Sequence, residues 1–135
     1  MATVLITLKV KEGMEARYEE IQKDLYEKTH SLESDVLRYE MWRGQEPRSY
    51  YCILSFPDYN TFMLKHQISD HHEDATPPLM EVIEEEGIEW VDPIQGASPL
   101  PATNQQDLPA DAPEIAKTYD EILQVAIPDW WASLR

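Results

Sequence analysis

Cysteine, glycine and long hydrophobic runs are all scarce in this sequence of 135 residues, which contains one cysteine and four glycines. The single cysteine, Cys52, excludes an intrachain disulfide and any zinc site that needs several cysteines. No apolar run approaches the roughly 18–20 residues of a membrane helix, and the first residues lack the pattern of a signal peptide. We therefore expect a cytoplasmic protein that builds its own hydrophobic core.

Basic residues are also scarce, with 11 lysines and arginines against 26 acidic residues and a formal net charge of −15. Between His66 and Ala116 there are twelve acidic residues and no lysine or arginine. Such a surface repels phosphate groups, so we expect neither nucleic acid nor an anionic membrane as a partner.

The spacing of apolar residues predicts the helices and strands. Alternation of apolar and polar residues predicts strands, and apolar residues at intervals of three or four predict amphipathic helices. The predicted strands cover residues 3–10, 36–44, 49–56 and 88–96. The predicted helices cover residues 13–31, a segment that begins at Pro57-Asp58, and a segment that begins at Thr76-Pro77-Pro78 and ends at Gly87.

This order of elements, β-α-β-β-α-(α)-β, predicts an α+β fold of the ferredoxin-like, split β-α-β type. Its four-stranded antiparallel sheet would carry the helices on one face and leave the other face open. Strand parity puts Trp42 and one or two tyrosines on the open face, and so much apolar area is rarely left in water. We therefore expect a homodimer in which a second copy covers the sheet.

The last part of the chain has a different composition. Residues 97–113 hold four prolines among small polar residues, which is typical of a linker. Residues 113–126 have helical spacing, but such a helix is too short to be stable alone. We predict an α+β domain over residues 1–96 and a C-terminal arm over residues 97–135 that packs on the domain or on the partner subunit.

Three of the four histidines fall in the stretch HQISDHHEDATPP at residues 66–78. On one continuous helix, His66 and His71 would stand about 140° apart around the axis. That separation prevents them from sharing a metal ion, unless the helix breaks near Ser69. We therefore predict no metal site and no cofactor.

His66 is the best candidate for proton transfer. It shares a helical face with Phe62 and should point inward, where an imidazole can act as a base near neutral pH. Ser69 is expected to end that helix as a C-terminal cap or turn residue. His72 is expected at the surface.

Four stretches, LKVKEGMEARYEE, VLRYEMWR, YYCILSFPDYNTFMLKHQISDHH and IEWVDPI, occur in an order that resembles the antibiotic biosynthesis monooxygenase family. The most specific part is the pattern H-x-x-S-x-H formed by His66, Ser69 and His71. The resemblance covers about residues 1–96. It implies a dimeric α+β barrel that oxidises electron-rich polycyclic phenols or quinols with molecular oxygen, without metal, flavin or haem.

The leading hypothesis is therefore a cofactor-independent monooxygenase acting on a quinol or an aromatic polyketide-type substrate. Its expected catalytic residues are His66 and His71. The residues expected to contact the substrate in an apolar cavity are Trp42, Tyr51, Tyr39, Phe62 and Ser69. Two other functions stay open: a non-enzymatic small-molecule-binding or regulatory dimer, and an isomerase-type proton shuttle that uses the same histidine on a small oxygenated metabolite without oxygen.

Overall fold

Four strands and a series of short and long helices make up the computed structural model, which describes residues 1–135. The strands are β1 (Ala2–Val10), β2 (Arg38–Arg43), β3 (Ser49–Phe56) and β4 (Ile83–Trp90). The helices are α1 (Glu15–Leu32), α2 (Tyr59–Thr61), α3 (Asp70–Val82), α4 (Glu114–Leu123) and α5 (Asp129–Ala132). A π-helical segment, Phe62–Gln67, follows α2 directly.

The strands form one antiparallel sheet in the order β2-β3-β1-β4. Because successive side chains of a strand point to opposite faces, Val4, Cys52 and Leu54 share the face that packs against α1, where Ile21 and Leu25 are also buried. The predicted ferredoxin-like fold, with helices on one face of a four-stranded sheet, is confirmed. None of the helices combines the length and apolar character needed to cross a bilayer.

The third helix begins earlier than predicted. The Ser69 hydroxyl caps the N-terminus of α3 by accepting a hydrogen bond from the His72 amide at 3.3 Å, so the helix starts at Asp70. The prolines expected at its start, Pro77-Pro78, lie inside it. Each removes one backbone hydrogen bond from the helix. The stretch that the predicted bounds leave between the second and third helices therefore forms the first turns of α3.

The fourth strand also begins earlier than predicted, and Gly87 lies within it, opposite Thr7 of β1. A Cβ atom at Gly87 would lie 2.7 Å from Thr7 Oγ1, so the glycine marks a close approach between strands and not the end of a helix. The glutamates of IEEEG favour a helix in isolation, but β4 is an edge strand, where charged side chains are common. Glu84 there pairs with Arg48, with Nη1 and Oε2 2.6 Å apart.

The C-terminal arm packs against the rest of the chain through α4. Leu123 and Val125 are buried in the main core. Hydrogen bonds that anchor α4 run from Tyr59 Oη to Asp120 Oδ1 (2.7 Å), from Tyr119 Oη to Glu73 Oε1 (2.6 Å) and from Trp90 Nε1 to the Leu123 carbonyl (2.9 Å). The arm thus contacts α2, α3 and β4 at once.

The end of the arm is fixed by Arg135. Its guanidinium lies 2.6 Å from Asp92 Oδ1 and donates to the Thr103 carbonyl at 2.6 Å. It also stands 5.9 Å from the ring centre of Trp131, within the range of a cation–π contact. The last residue therefore holds the arm against the segment that follows β4.

We expect Tyr59→Phe to lower the free energy of unfolding by about 1–3 kcal/mol, because it leaves the Asp120 carboxylate without its phenolic donor. Urea denaturation followed by circular dichroism measures this difference. Tyr26→Phe is the matched control, since Tyr26 is an exposed tyrosine of α1. Equal stabilities of the two variants would contradict the anchoring role of Tyr59.

Candidate active site

A break in the helical path separates the three clustered histidines. The π-helical segment ends at Gln67, and Ser69 begins α3. The Ser69 hydroxyl donates to the His66 carbonyl at 2.7 Å and caps α3 on its other side. Ser69 therefore bonds the last turn of the π-helical segment, consistent with the expected C-terminal cap or turn residue, and is also the N-cap of α3. His66 and His71 consequently sit on two separate helical segments.

The break lets His66 and His71 meet at one carboxylate, that of Glu33, which follows the last residue of α1. Glu33 Oε1 lies 2.8 Å from His66 Nδ1 and 2.6 Å from His71 Nε2. The side chains of the three residues are 7%, 1% and 9% exposed, in the order Glu33, His66, His71. A carboxylate only accepts hydrogen bonds, so each imidazole presents an N–H to Glu33. His71 Nε2 thus contacts two oxygens, because Ser69 Oγ also lies 3.1 Å from it.

The hydrogen bond to Glu33 fixes the tautomer of His66. With the proton on Nδ1, the neutral ring carries none on Nε2, so Nε2 is an acceptor. Nε2 makes no hydrogen bond within the chain, and His66 lines a cavity that Glu33 and His71 do not reach. His66 thus separates a polar side, occupied by Glu33, from an apolar side.

The apolar side is a cavity of about 470 Å³ between the sheet and the helices. Sixteen of its 22 lining residues are hydrophobic. The polar ones are Gln22, His66, Gln67, His72, Thr76 and Glu86. Size and lining are those of a small-molecule site, in which a few polar groups orient a ligand among apolar walls.

Aromatic rings surround His66 on the cavity side. The ring centres of Tyr39, Phe56 and Phe62 lie 5.1, 5.0 and 6.1 Å from that of His66. Tyr39 and Phe62 line the cavity, where the sequence predicts them. Burial raises the pKa of the Tyr39 phenol well above its usual range, so the hydroxyl stays protonated and neutral.

His72 is not at the surface, contrary to expectation. Its side chain is 18% exposed, its ring centre is 5.0 Å from that of His66, and it lines the cavity. Burial first, and then the neighbouring His66 and His71, lower the pKa of His72 to about 3. His72 is therefore a neutral polar group in the cavity wall. Its Nδ1 is buried and makes no hydrogen bond within the chain.

Trp42 and Tyr51 do not line this cavity. They are cross-strand neighbours on the sheet face that points away from the helices, and they are 56% and 43% exposed. Strand parity explains this placement, because Tyr39 and Trp42 on β2 must point to opposite faces. Neither residue therefore forms a wall of this cavity, and Trp42 instead lines a separate pocket of about 530 Å³ between α1 and β2.

The sequence patterns do not predict several residues of the site. Glu33 lies 33 positions before His66, and no local pattern connects the two. Tyr119 and Leu123 of the arm line the cavity, although their spacing predicts only an amphipathic helix. Glu86 lines it as well, and partial burial raises the pKa of its carboxyl group. Glu86 lies in β4, but the predicted strand begins only at residue 88. With the correct strand bounds, alternation of side chains would have placed Glu86 on the cavity face of the sheet.

The same convergence bears on metal binding. Glu33, His66 and His71 each offer one ligand atom, and these atoms lie within 4.8 Å of one another. The prediction that no metal ion could be shared assumed one continuous helix, and the break at Ser69 removes that assumption. The geometric reason for expecting no metal site therefore does not hold.

Comparison with solved structures identifies the fold. A protein from Caulobacter crescentus CB15, provisionally named an antibiotic biosynthesis monooxygenase, has a TM-score of 0.65 and 23% identity over 70% of this chain and 90% of that one. A protein from Bacteroides thetaiotaomicron VPI-5482 with the same provisional name has a TM-score of 0.65 and 14% identity, over 78% and 95% of the two chains. A conserved protein from Methanosarcina mazei Go1 has a TM-score of 0.62 and 22% identity, over 67% and 89%.

Comparison of the sequence identifies the family. A search among curated proteins finds no significant match. The family model described as antibiotic biosynthesis monooxygenase matches residues 1–77, which include β1 to β3, the π-helical segment and all three clustered histidines. Since this match covers more than half of the chain, the protein belongs to the antibiotic biosynthesis monooxygenase family.

Proposed function

We propose that this protein is a cofactor-independent monooxygenase that oxidises a quinol or an aromatic polyketide-type substrate with molecular oxygen. One observation carries the proposal: His66 donates Nδ1–H to the buried Glu33 carboxylate and borders an apolar cavity of about 470 Å³ on its other side. A ligand in that cavity meets an imidazole whose free nitrogen accepts protons. Family membership makes oxygen the natural second reactant.

The cavity suits a planar, electron-rich ring. Its walls are mostly aliphatic and aromatic, and its volume lies within the range of small-molecule sites. Tyr39 can donate a hydrogen bond from a hydroxyl that stays protonated, and His72 offers a neutral imidazole. These groups orient a phenol without adding a charge that would compete with the phenolate.

The proposed reaction needs one base and a dry site. His66 Nε2 takes a proton from the substrate, and the resulting imidazolium is stabilised by Glu33. The substrate anion passes one electron to O₂, and the two radicals combine at a ring carbon to give a peroxide. His66 returns the proton to the peroxide, and loss of hydroxide with the remaining C–H proton leaves a carbonyl. One oxygen atom enters the product and the other leaves as water.

Exclusion of water falls partly to the arm. Tyr119 and Leu123 line the cavity, and Tyr119 donates to Glu73 at the wall. A reactive carbanion and a peroxide last longer where water is excluded. The arm therefore contributes to the same reaction as the histidines, although it lies outside the part of the chain that the family model matches.

We expect the full-length protein to consume oxygen with an anthrone-type substrate or a dihydroxynaphthalene, and His66→Ala to lower kcat by about 10²–10⁴-fold, the usual contribution of a general base. An oxygen electrode measures the rate. His30→Gln is the matched control, since His30 is the one histidine outside the cluster. Absence of uptake over a broad panel of phenols would overturn the proposal. Proton exchange at substrate carbon without oxygen consumption would instead identify a proton shuttle.

Glu33→Gln tests how His66 is positioned. Glutamine keeps the size of the side chain but removes the charge that stabilises the imidazolium, so we expect a lower kcat with little change in KM. Oxygen uptake against substrate concentration separates the two parameters. A raised KM with an unchanged kcat would show that Glu33 only shapes the cavity.

We also propose that the open face of the sheet forms a homodimer, as the resemblance to dimeric α+β barrel proteins implies. Trp42 and Tyr51 are adjacent on this face, and Leu5 and Ile53 pair beside them across β1 and β3. These four side chains form a contiguous apolar patch, whereas singly exposed apolar residues are common on any protein surface. The charged side chains Arg38 and Glu40 pair at its edge, 3.3 Å apart.

We expect Trp42→Asp to convert a dimer into monomers, because it places a charge in the centre of the proposed interface. Sedimentation velocity measures the molecular mass. Leu134→Asp is the control, since Leu134 is an exposed residue of the arm that lies outside the four strands. A wild-type monomer, or a dimer that survives Trp42→Asp, would contradict this interface.

A further inference from the structure

We propose that Glu33, His66 and His71 form a binding site for Zn²⁺ or a similar late first-row divalent ion. Two imidazole nitrogens and a carboxylate are a ligand set that Zn²⁺ accepts. The three ligand atoms lie within 4.8 Å of one another. They come from three separate elements, namely the end of α1, the π-helical segment and the first turn of α3.

The observed distances are close to those that Zn²⁺ requires. A tetrahedral ion with bonds of about 2.0–2.1 Å separates its ligand atoms by roughly 3.3 Å. Glu33 Oε1 now lies 2.8 Å from His66 Nδ1 and 2.6 Å from His71 Nε2. The imidazoles of His66 and His71 therefore need to move away from the carboxylate oxygen by about 0.5 and about 0.7 Å. Ser69 Oγ, 3.1 Å from His71 Nε2, is placed to hydrogen-bond a water in the fourth position.

Electrostatics and access also favour a cation. The chain carries a formal net charge of −15, which raises the local concentration of cations. The ligand side chains are nearly buried, but both chain neighbours of Glu33, Leu32 and Ser34, are exposed. The carboxylate therefore lies close in sequence to solvent-exposed residues at the end of α1.

The site lies behind His66 and not in the cavity, since neither Glu33 nor His71 lines the cavity. A bound ion would replace the proton on His66 Nδ1, and the neutral ring would then carry its proton on Nε2. His66 would become a donor toward the cavity and lose its function as a base. This consequence rests on the function proposed above, whereas ion binding does not.

Calorimetric titration of the chelator-treated, full-length protein with Zn²⁺ tests the site. We expect saturable uptake of one ion per chain. Glu33→Gln and His71→Gln should each weaken the affinity for Zn²⁺ by more than about 100-fold, because loss of a residue that merely hydrogen-bonds a metal ligand already lowers affinity 10–100-fold. His30→Gln should bind as the wild type does. Circular dichroism of each variant without metal identifies one that has failed to fold. Zn²⁺-dependent shifts of the His66 and His71 ring signals in NMR spectra then test the site in the wild-type protein.

Binding that survives in both ligand variants, or is lost equally in His30→Gln, would overturn the site, because the ion would then sit on surface carboxylates or other histidines. Absence of any Zn²⁺-dependent shift of the His66 and His71 ring signals would overturn it as well. If the protein consumes oxygen, Zn²⁺ should inhibit uptake and a chelator should restore it. Binding without any oxygen uptake would leave the metal site standing and count only against the proposed oxidation.

Discussion

A buried carboxylate that accepts hydrogen bonds from two imidazoles determines the arrangement of the whole site. Glu33 is 7% exposed, and a carboxylate so placed needs donors to offset the lost hydration. His66 and His71 supply them, and bonds to an ionised acceptor are stronger than neutral ones. The end of α1 is thereby tied to the π-helical segment and to the start of α3. Displacing any one of these three elements would leave a buried charge without its partner.

The break at Ser69 makes this arrangement possible. Without it, His66 and His71 would face different directions on one helix. With it, the two rings share a carboxylate while only His66 and His72 reach the cavity. The polar contacts and the apolar ligand space therefore lie on opposite sides of one imidazole. This division keeps the charge of Glu33 away from the space that would hold an aromatic ring.

Local patterns in the sequence predict most of the fold but only part of the site. β1, α1, β3 and α4 follow from periodicity, and the inward direction of His66 follows from the face it shares with Phe62. The prediction fails where local preference and tertiary context disagree. The glutamates of IEEEG have helical propensity, yet pairing with β1 makes them a strand.

The missed site residues share a physical cause. Glu33 ends α1 and meets His66 only because the fold brings two distant segments together. His72 turns toward the cavity because Ser69 starts α3 earlier than the prolines suggest. Trp42 lies outside this cavity because its strand parity directs it to the open face. Contacts between distant segments are set by the packing of whole elements, which single-sequence periodicity does not encode.

The docking of α4 against the cavity has an evolutionary consequence. Glu33, His66 and His72 lie within the part that the family model matches, whereas Tyr119 and Leu123 lie in the arm beyond residue 77. Substitutions in the arm can reshape the ligand space while the contact between Glu33 and His66 stays intact. Three of the 22 cavity-lining residues, Tyr119, Ile122 and Leu123, can therefore vary without disturbing that contact.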